Sequence, residues 1–272
     1  MIAVILILAA LALLIFSQRY AWWRPAVDYR YPRILMYHMV AEHRKGARFN
    51  KLRVRPGMFE RQVRWLKEQG WHFASMTDLM QNRKLPEKTV VITFDDGYAD
   101  NYLQAYPVLK KYGAKATLYL VVDRFDRDWS TSKKAHHDSG ELMHEPKLSD
   151  DQVREMLASG LVELGGHTLT HANLAKLDRE ARTREVVSGR EQLQQTFGQP
   201  VSSFAYPFGI YDEQDVSICA EAGFLSAVTT EEGINRDRFS DPYRLKRVKI
   251  SGKDSMLAFR LRMKTGQRGW KR

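Results

Sequence analysis

From residue 33 to residue 250, short apolar runs alternate with stretches of helical periodicity, and this alternation limits the fold more than any other feature. Parallel strands need a long crossover between them, usually a helix, so the pattern predicts an α/β protein with a parallel sheet. The segments "RILMYHMV", "WHFASM", "KTVVITF", "KATLYLV", "LVELGGH", "SSFAYPFG", "LSAVTT" and "YRLKRVKI" read as strands. Between them, "RPGMFERQVRWLKEQG", "NYLQAYPVLKKYG", "LSDDQVREMLASG", "LDREARTREVVSGREQLQQTFG" and "DEQDVSICAEAGF" read as helices, the third with Ser149 or Asp150 as its N-cap. About eight strands in roughly 240 residues suit a closed or nearly closed β/α barrel better than an open doubly wound sheet. In such barrels the chemistry gathers at the C-terminal strand ends.

The N-terminus carries a different signal. "MIAVILILAALALLIF" contains no charge, and with the following "SQRYAWWR" it reaches about the 20 residues that a bilayer span needs. Residues 1–23 are therefore expected to form a retained transmembrane anchor with Tyr20, Trp22 and Trp23 as an interfacial belt. The charged n-region and small-residue cleavage site of a signal peptide are missing. Residues 24–31 then read as a juxtamembrane linker, 32–250 as the main domain and 251–272 as a basic C-terminal tail. Arg19, Arg24, Arg30 and Arg33 follow the span, a bias that places the domain on the cytoplasmic face of an inner membrane, with the periplasm as the alternative.

The net charge of +11 is unevenly spread. Residues 19–64 carry 12 Lys and Arg against 3 Asp and Glu, residues 65–242 carry 20 against 28, and residues 243–272 carry 11 against 1. Basic flanks beside an anchor point to anionic lipid headgroups or a phosphorylated lipid-linked substrate, in preference to nucleic acid. A lone Cys219 in a helical pattern excludes both an internal disulfide and a Cys-x-x-Cys metal site. Nothing in the sequence sets an oligomeric state.

Three strand ends bear unusual polar groups: Asp95 and Asp96 after "VVITF", His167 and His171 in "LGGHTLTH", and the turn "AYPFG" after "SSF". Adjacent carboxylates at the end of a buried strand are costly unless a cation sits beside them. Two histidines four apart on a helical turn would face the same way, and with one carboxylate they make the His, His, Asp set of a catalytic zinc site. One aspartate could then bind the metal while its neighbour accepts a proton.

"TFDDG", "HTLTH" and "FAYPFG", in this order and at this separation, resemble the NodB-type polysaccharide deacetylases of carbohydrate esterase family 4. The likeness is closest to the poly-N-acetylglucosamine deacetylase subgroup, which shares a Tyr-His near the first strand (Tyr37 and His38 here) and an Ala-Tyr-Pro turn. It implies a distorted (β/α)7 barrel over about residues 32–250, and one divalent metal, zinc by default with iron, cobalt or nickel able to fit the same ligands. It also implies Asp95 as general base, Asp96, His167 and His171 as metal ligands, Tyr37 as a substrate-binding group, and the substrate-binding turn Tyr206, Pro207, Phe208 as a groove wall whose Phe208 N–H faces the developing oxyanion.

Two family features are absent. The arginine of an Arg-Pro-Pro-Tyr motif that orients the aspartate is replaced around Ala205 and Tyr206, and no histidine follows His171 to serve as the late general acid. His38 is the candidate acid, and Arg244 or Arg247 the candidate orienting groups. "KKAHHDSGELMHE", with His136, His137 and His144, reads as a substrate-facing or solvated loop before it reads as a second metal site. The expected activity is N-deacetylation of an envelope glycan: lipopolysaccharide core, a lipid-linked intermediate or an exported polymer. The alternatives are a sugar O-acetyl esterase on the same metal site and a catalytically silent glycan-binding or assembly subunit.

Overall fold

The computed structural model of the chain describes residues 2–20, 22–127 and 140–269. Eight strands, β1 (Arg33–Tyr37), β2 (His72–Ala74), β3 (Thr89–Asp96), β4 (Ala116–Leu120), β5 (Val162–Gly166), β6 (Ser203–Ala205), β7 (Ser226–Glu232) and β8 (Leu245–Lys249), all pair in parallel. Because β1 pairs with β3 on one side and β8 on the other, seven strands close into a barrel and β2 is left outside the ring. β2 uses residues 89–91 of β3 and β4 uses residues 92–96, so the two share one edge of the longest strand. The expected seven-stranded barrel is thus present, with the extra apolar run accounted for as this annex.

Nine α-helices surround or flank the barrel among the described residues: α1 (Ile2–Tyr20), α2 (Pro56–Glu68), α3 (Met76–Gln81), α4 (Tyr106–Tyr112), α5 (Asp150–Ala158), α6 (Arg179–Thr183), α7 (Gly189–Phe197), α8 (Glu213–Glu221) and α9 (Met256–Thr265). α2 begins at a proline, whose fixed φ suits the first turn, and buries Phe59, Val63 and Leu66 on one face. α5 starts from a capping box in which Ser149 and Gln152 satisfy each other's backbone N–H groups, which selects Ser149 over Asp150 as N-cap. β6 stops at Ala205, short of the expected run, because Pro207 cannot donate to a ladder and opens a 3-10 turn.

Side chains alternate across each strand, and the two sides form different cores. Leu35, Tyr37, Val90, Ile92, Phe94, Leu118 and Leu120 join the large core between barrel and helices. Ile34, Val91, Tyr119, Val228 and Leu245 form a second cluster inside the ring, and Met76 and Leu79 of α3 close it from the end where the strands begin. α3 escapes sequence reading because six residues show little periodicity. Its Ser75 and Asp78 capping box is the signal that was there to find.

Three expectations need correction. Among the described residues no helix is long and apolar enough to cross a membrane, so the single-pass inner-membrane anchor over 1–23 is not supported. The uncharged apolar stretch of α1, residues 2–16, rises only about 22 Å, against a hydrocarbon core of about 30 Å. The segment 24–31 is no free linker either: buried Arg33 donates to the carbonyls of Val27, Asp28 and Met263, at 2.6, 2.8 and 3.0 Å, and Val27 N–H donates to Lys264 O at 2.9 Å. Finally, the expected basic tail contains α9, capped by Ser255, whose Phe259 and Met263 are buried in the main core. Interspersed Arg and Lys hide that apolar stripe from a reading by composition.

Candidate active site

The alternation along β3 sends Val91, Thr93 and Asp95 into the barrel, and the strand then turns sharply. Asp96 has φ +79° and Gly97 φ +84°, both left-handed. A Cβ on Gly97 would lie 2.4 Å from Leu120 Cδ1, so glycine is required both by φ and by space. After β5, "HTLTH" is not the helical turn expected. Thr168 and His171 take φ +67° and +58°, and an irregular bend brings both imidazoles to one point. Glu185 holds that bend: its carboxylate accepts from Thr170 N and Oγ1 at 2.9 and 2.8 Å, and its carbonyl accepts from Leu169 N at 3.0 Å. Such strained backbone persists only where neighbours over-determine it.

Asp96 Oδ1 lies 3.2 Å from His167 Nε2 and 3.3 Å from His171 Nε2, with all three residues buried. His167 Nδ1 donates to the Ala205 carbonyl at 2.6 Å, a tautomer that leaves the Nε2 lone pair facing its two partners. Three donors bound at about 2.0–2.1 Å to a tetrahedral ion stand about 3.3 Å apart, so this set fits a divalent metal. All three donor atoms lie within 4.8 Å of one another. Burial opposes ionisation of Asp96, but the two imidazoles beside it hold its carboxyl well below the usual range. Burial also lowers the His171 pKa despite Asp96, which keeps a neutral imidazole suited to ligation.

Asp95 is gripped by a buried fork. Arg247 Nη1 and Nη2 each donate to one carboxylate oxygen at 2.7 Å, while its Nε donates to Thr229 O at 2.8 Å and Nη1 also reaches Thr93 Oγ1 at 3.0 Å. Burial pushes the Asp95 carboxyl up, yet the Arg247 charge and hydrogen bonds hold it below its ordinary value. Of the two candidate orienting groups, Arg247 is therefore the one that contacts Asp95. Arg244 instead pairs outside the pocket with Asp241 and Glu213. His38 Nε2 stands 3.9 Å from Asp95 Oδ2 and is partly exposed, and its backbone carbonyl accepts from Asn101 Nδ2 at 2.8 Å.

The 3-10 turn Pro207–Gly209 supplies the facing wall. Phe208 sits at φ +61° with its ring edge-on to His171, centroids 4.4 Å apart, and a Cβ on Gly209 would meet Thr230 Oγ1 at 2.0 Å. Tyr206 borders the pocket but is almost fully buried, stacked on Tyr211 at 4.6 Å, and burial raises its hydroxyl pKa. Pro207 is buried and not among the lining residues. Tyr37 is likewise a core residue: its hydroxyl donates to Gln62 Oε1 at 2.8 Å between the barrel and α2, away from the pocket. Strand alternation explains this, since Tyr37 and His38 cannot both point inward.

These groups converge on one cavity of about 500 Å³ at the C-terminal mouth of the barrel. Asp95, Asp96, His167 and His171 line it together with His38 and Phe208. Sequence reading missed the outer rim, built from Arg48, Phe49 and Lys51 of the first basic flank and from Glu232, Lys249 and Arg268 near the end of the chain. His136 and His137 lie outside the described residues, and His144 is exposed and does not line the pocket.

Residues 82–227 match the sequence profile described as polysaccharide deacetylase. Over 243 residues the chain is 32% identical to YxkH of Bacillus subtilis (strain 168), an alignment covering 88% of this chain and 78% of that one. It is 26% identical over 210 residues to the poly-β-1,6-N-acetyl-D-glucosamine N-deacetylase of Staphylococcus aureus (strain MSSA476), covering 73% and 68%. The solved structure of Streptococcus pyogenes deacetylase PplD in complex with acetate is similar at a TM-score of 0.69 and 28% identity, over 85% of this chain and 95% of that one.

Proposed function

Since the chain belongs to the polysaccharide deacetylase family, we propose that it removes N-acetyl groups from amino sugars of an envelope glycan by metal-assisted attack of water. One observation carries the reading: a buried Asp96, His167, His171 donor set beside an Asp95 carboxylate forked by Arg247, all on one pocket. The N-acetylglucosamine polymer in the staphylococcal relative's name supports an acetylated amino-sugar substrate.

Asp96, His167 and His171 would hold the ion, zinc by the chemistry of the donors. When bound, it supplies a Lewis acid that lowers the pKa of a water and polarises the acetyl carbonyl. The protein does the rest. Asp95, kept ionised and oriented by Arg247, takes a proton from the attacking water as its oxygen bonds to the acetyl carbon. The Phe208 N–H, in the turn that faces His171, shares the negative charge on the carbonyl oxygen. As the C–N bond breaks, His38 gives a proton to the departing amine, leaving acetate and a free amino sugar. Its position beside Asp95 and its partial exposure support this role.

The test is acetate release from N-acetylglucosamine oligomers by the metal-loaded protein. Acetate and free amine should appear in equal amounts, and a chelator should abolish both until metal is restored. Acetate without amine would point to sugar O-acetyl esterase activity. Protein that takes up no metal, or releases no acetate from any acetylated glycan, would overturn the proposal.

A further inference from the structure

The two basic flanks of the sequence, about 200 residues apart, meet at the pocket rim. Arg48 and Lys51 come from the first, and Lys249, Arg262 and Arg268 from the second, and all five line the cavity. The acids facing them are Asp95, Asp96 and Glu232. Asp95 is matched by buried Arg247, Asp96 would be matched by the metal, and Arg262 is matched by Asp254 at 2.6 Å. Glu232 accepts the backbone N–H of Arg268 at 3.1 Å. Lys51 and Arg268 are exposed and form no salt bridge among the described residues. The rim is therefore left positive.

The rim is also built to stay in place. Arg53, fully buried, donates to Glu141 at 2.7 Å and Glu145 at 2.6 Å, and Glu141 also accepts the backbone N–H groups of Arg48 and Phe49. A buried, multiply bonded arginine under an exposed loop limits the freedom of the charges the loop carries. The two flanks are joined directly: Gly252 N–H donates to Lys51 O at 2.9 Å, and a Cβ on Gly252 would lie 2.0 Å from Arg53 O. Phe49, Leu52 and Leu142 add apolar surface beside the cations, suited to the face of a sugar ring.

Resting on the deacetylase reading, we infer that the preferred substrate is an anionic glycan, carrying a phosphate or carboxylate on a sugar adjoining the acetylated one, which Lys51 and Arg268 bind at the rim. A neutral polymer would leave this fixed positive field unmatched. Charge complementarity of this kind raises affinity and on-rate, and both effects fall with salt.

Binding separates this inference from the chemistry. Full-length protein is titrated calorimetrically with three tetrasaccharides that carry no acetamide and so cannot turn over: a neutral glucose tetramer, one alternating glucose with glucuronate, and one bearing a single phosphate. At low ionic strength at least one charged oligomer should bind about tenfold or more tightly than the neutral one, and the gap should narrow as salt rises. Which of the two binds better distinguishes phosphate from carboxylate. The double variant Lys51→Gln/Arg268→Gln should close the gap, whereas Lys67→Gln on α2, which removes a charge away from the pocket, should not. Equal affinity for charged and neutral oligomers, no binding of either charged oligomer, or a preference that survives the double variant would overturn the inference. Absence of acetate release from acetylated glycans would instead count against the deacetylase reading and leave the binding result standing.

Discussion

Arg247→Met removes one half of a buried ion pair while keeping much of the volume and the aliphatic contacts of the stem. Four hydrogen bonds disappear, two of them to Asp95 at 2.7 Å, and the Asp95 carboxylate stays nearly inaccessible to water. A charge stranded in this way costs about 3–5 kcal/mol, a large part of the about 5–15 kcal/mol that holds a typical domain together. Removing both partners tells the two contributions apart. In Asp95→Asn/Arg247→Met no charge is stranded, so the double variant should be more stable than Arg247→Met alone by about 1–3 kcal/mol. Arg247→Lys keeps the charge but not the fork, and should lose about 1–2 kcal/mol. The assay is urea unfolding followed by circular dichroism, with chelator present so that bound metal does not offset the loss. If the double variant proved no more stable than Arg247→Met, the two residues would not be energetically coupled, and the assignment of Arg247 as the orienting group of Asp95 would fall with that result.

Asp95→Asn should abolish turnover while metal content stays near that of the unaltered protein, and His171→Ala should lose both; metal analysis beside acetate assays decides, and a wild-type rate in Asp95→Asn would remove it as base. His38→Gln should lower kcat by about 10²–10³ with bound metal unchanged, since general acid catalysis supplies rate and not ligation; an unaltered rate and pH profile would exclude His38 as the acid. Gly97→Ala meets both φ +84° and Leu120 Cδ1 at 2.4 Å, so a loss of about 2–3 kcal/mol is expected in urea unfolding, together with weaker metal uptake through its neighbour Asp96. Burial raises the Asp100 carboxyl to about 7, with Val40 N–H and Asn101 working against it. The folded state therefore holds that proton more tightly than the unfolded chain does, and stability falls as pH rises from about 4 through about 7. Asp100→Asn should flatten that decline and gain about 1–2 kcal/mol near pH 8, a figure reduced for the partial exposure of the residue; an unchanged pH dependence would show that Asp100 is not its source.

The strands, the barrel and most of the candidate site were legible because they depend on local patterns. An apolar run such as "KTVVITF" can be buried only as a strand in a covered sheet, and residues directly after such a strand must emerge at its C-terminal mouth. That logic places Asp95, Asp96 and His167 together. The helical reading of "HTLTH" failed although its outcome held, because left-handed Thr168 and His171, pinned by Glu185, bring the imidazoles together by another path. Tyr37 was misplaced because the resemblance carried it over together with His38, whereas strand alternation sends the two side chains to opposite sides.

By itself, then, the sequence determined the parallel α/β architecture and the strand ends that bear the polar groups, which follow from spacing over a few residues, while the choice of Asp96 over Asp95 as the ligand beside His167 and His171 rested on the resemblance of their motifs to the deacetylase family. Tertiary structure decided which arginine orients Asp95, since the choice between Arg244 and Arg247 depends on β8 closing against β1 about 200 residues away. It also decided that the basic C-terminal segment is a packed helix, and that two distant basic flanks share one rim. Each of these rests on contacts between residues remote in the chain, made only when the ring of strands closes, and composition carries no record of them.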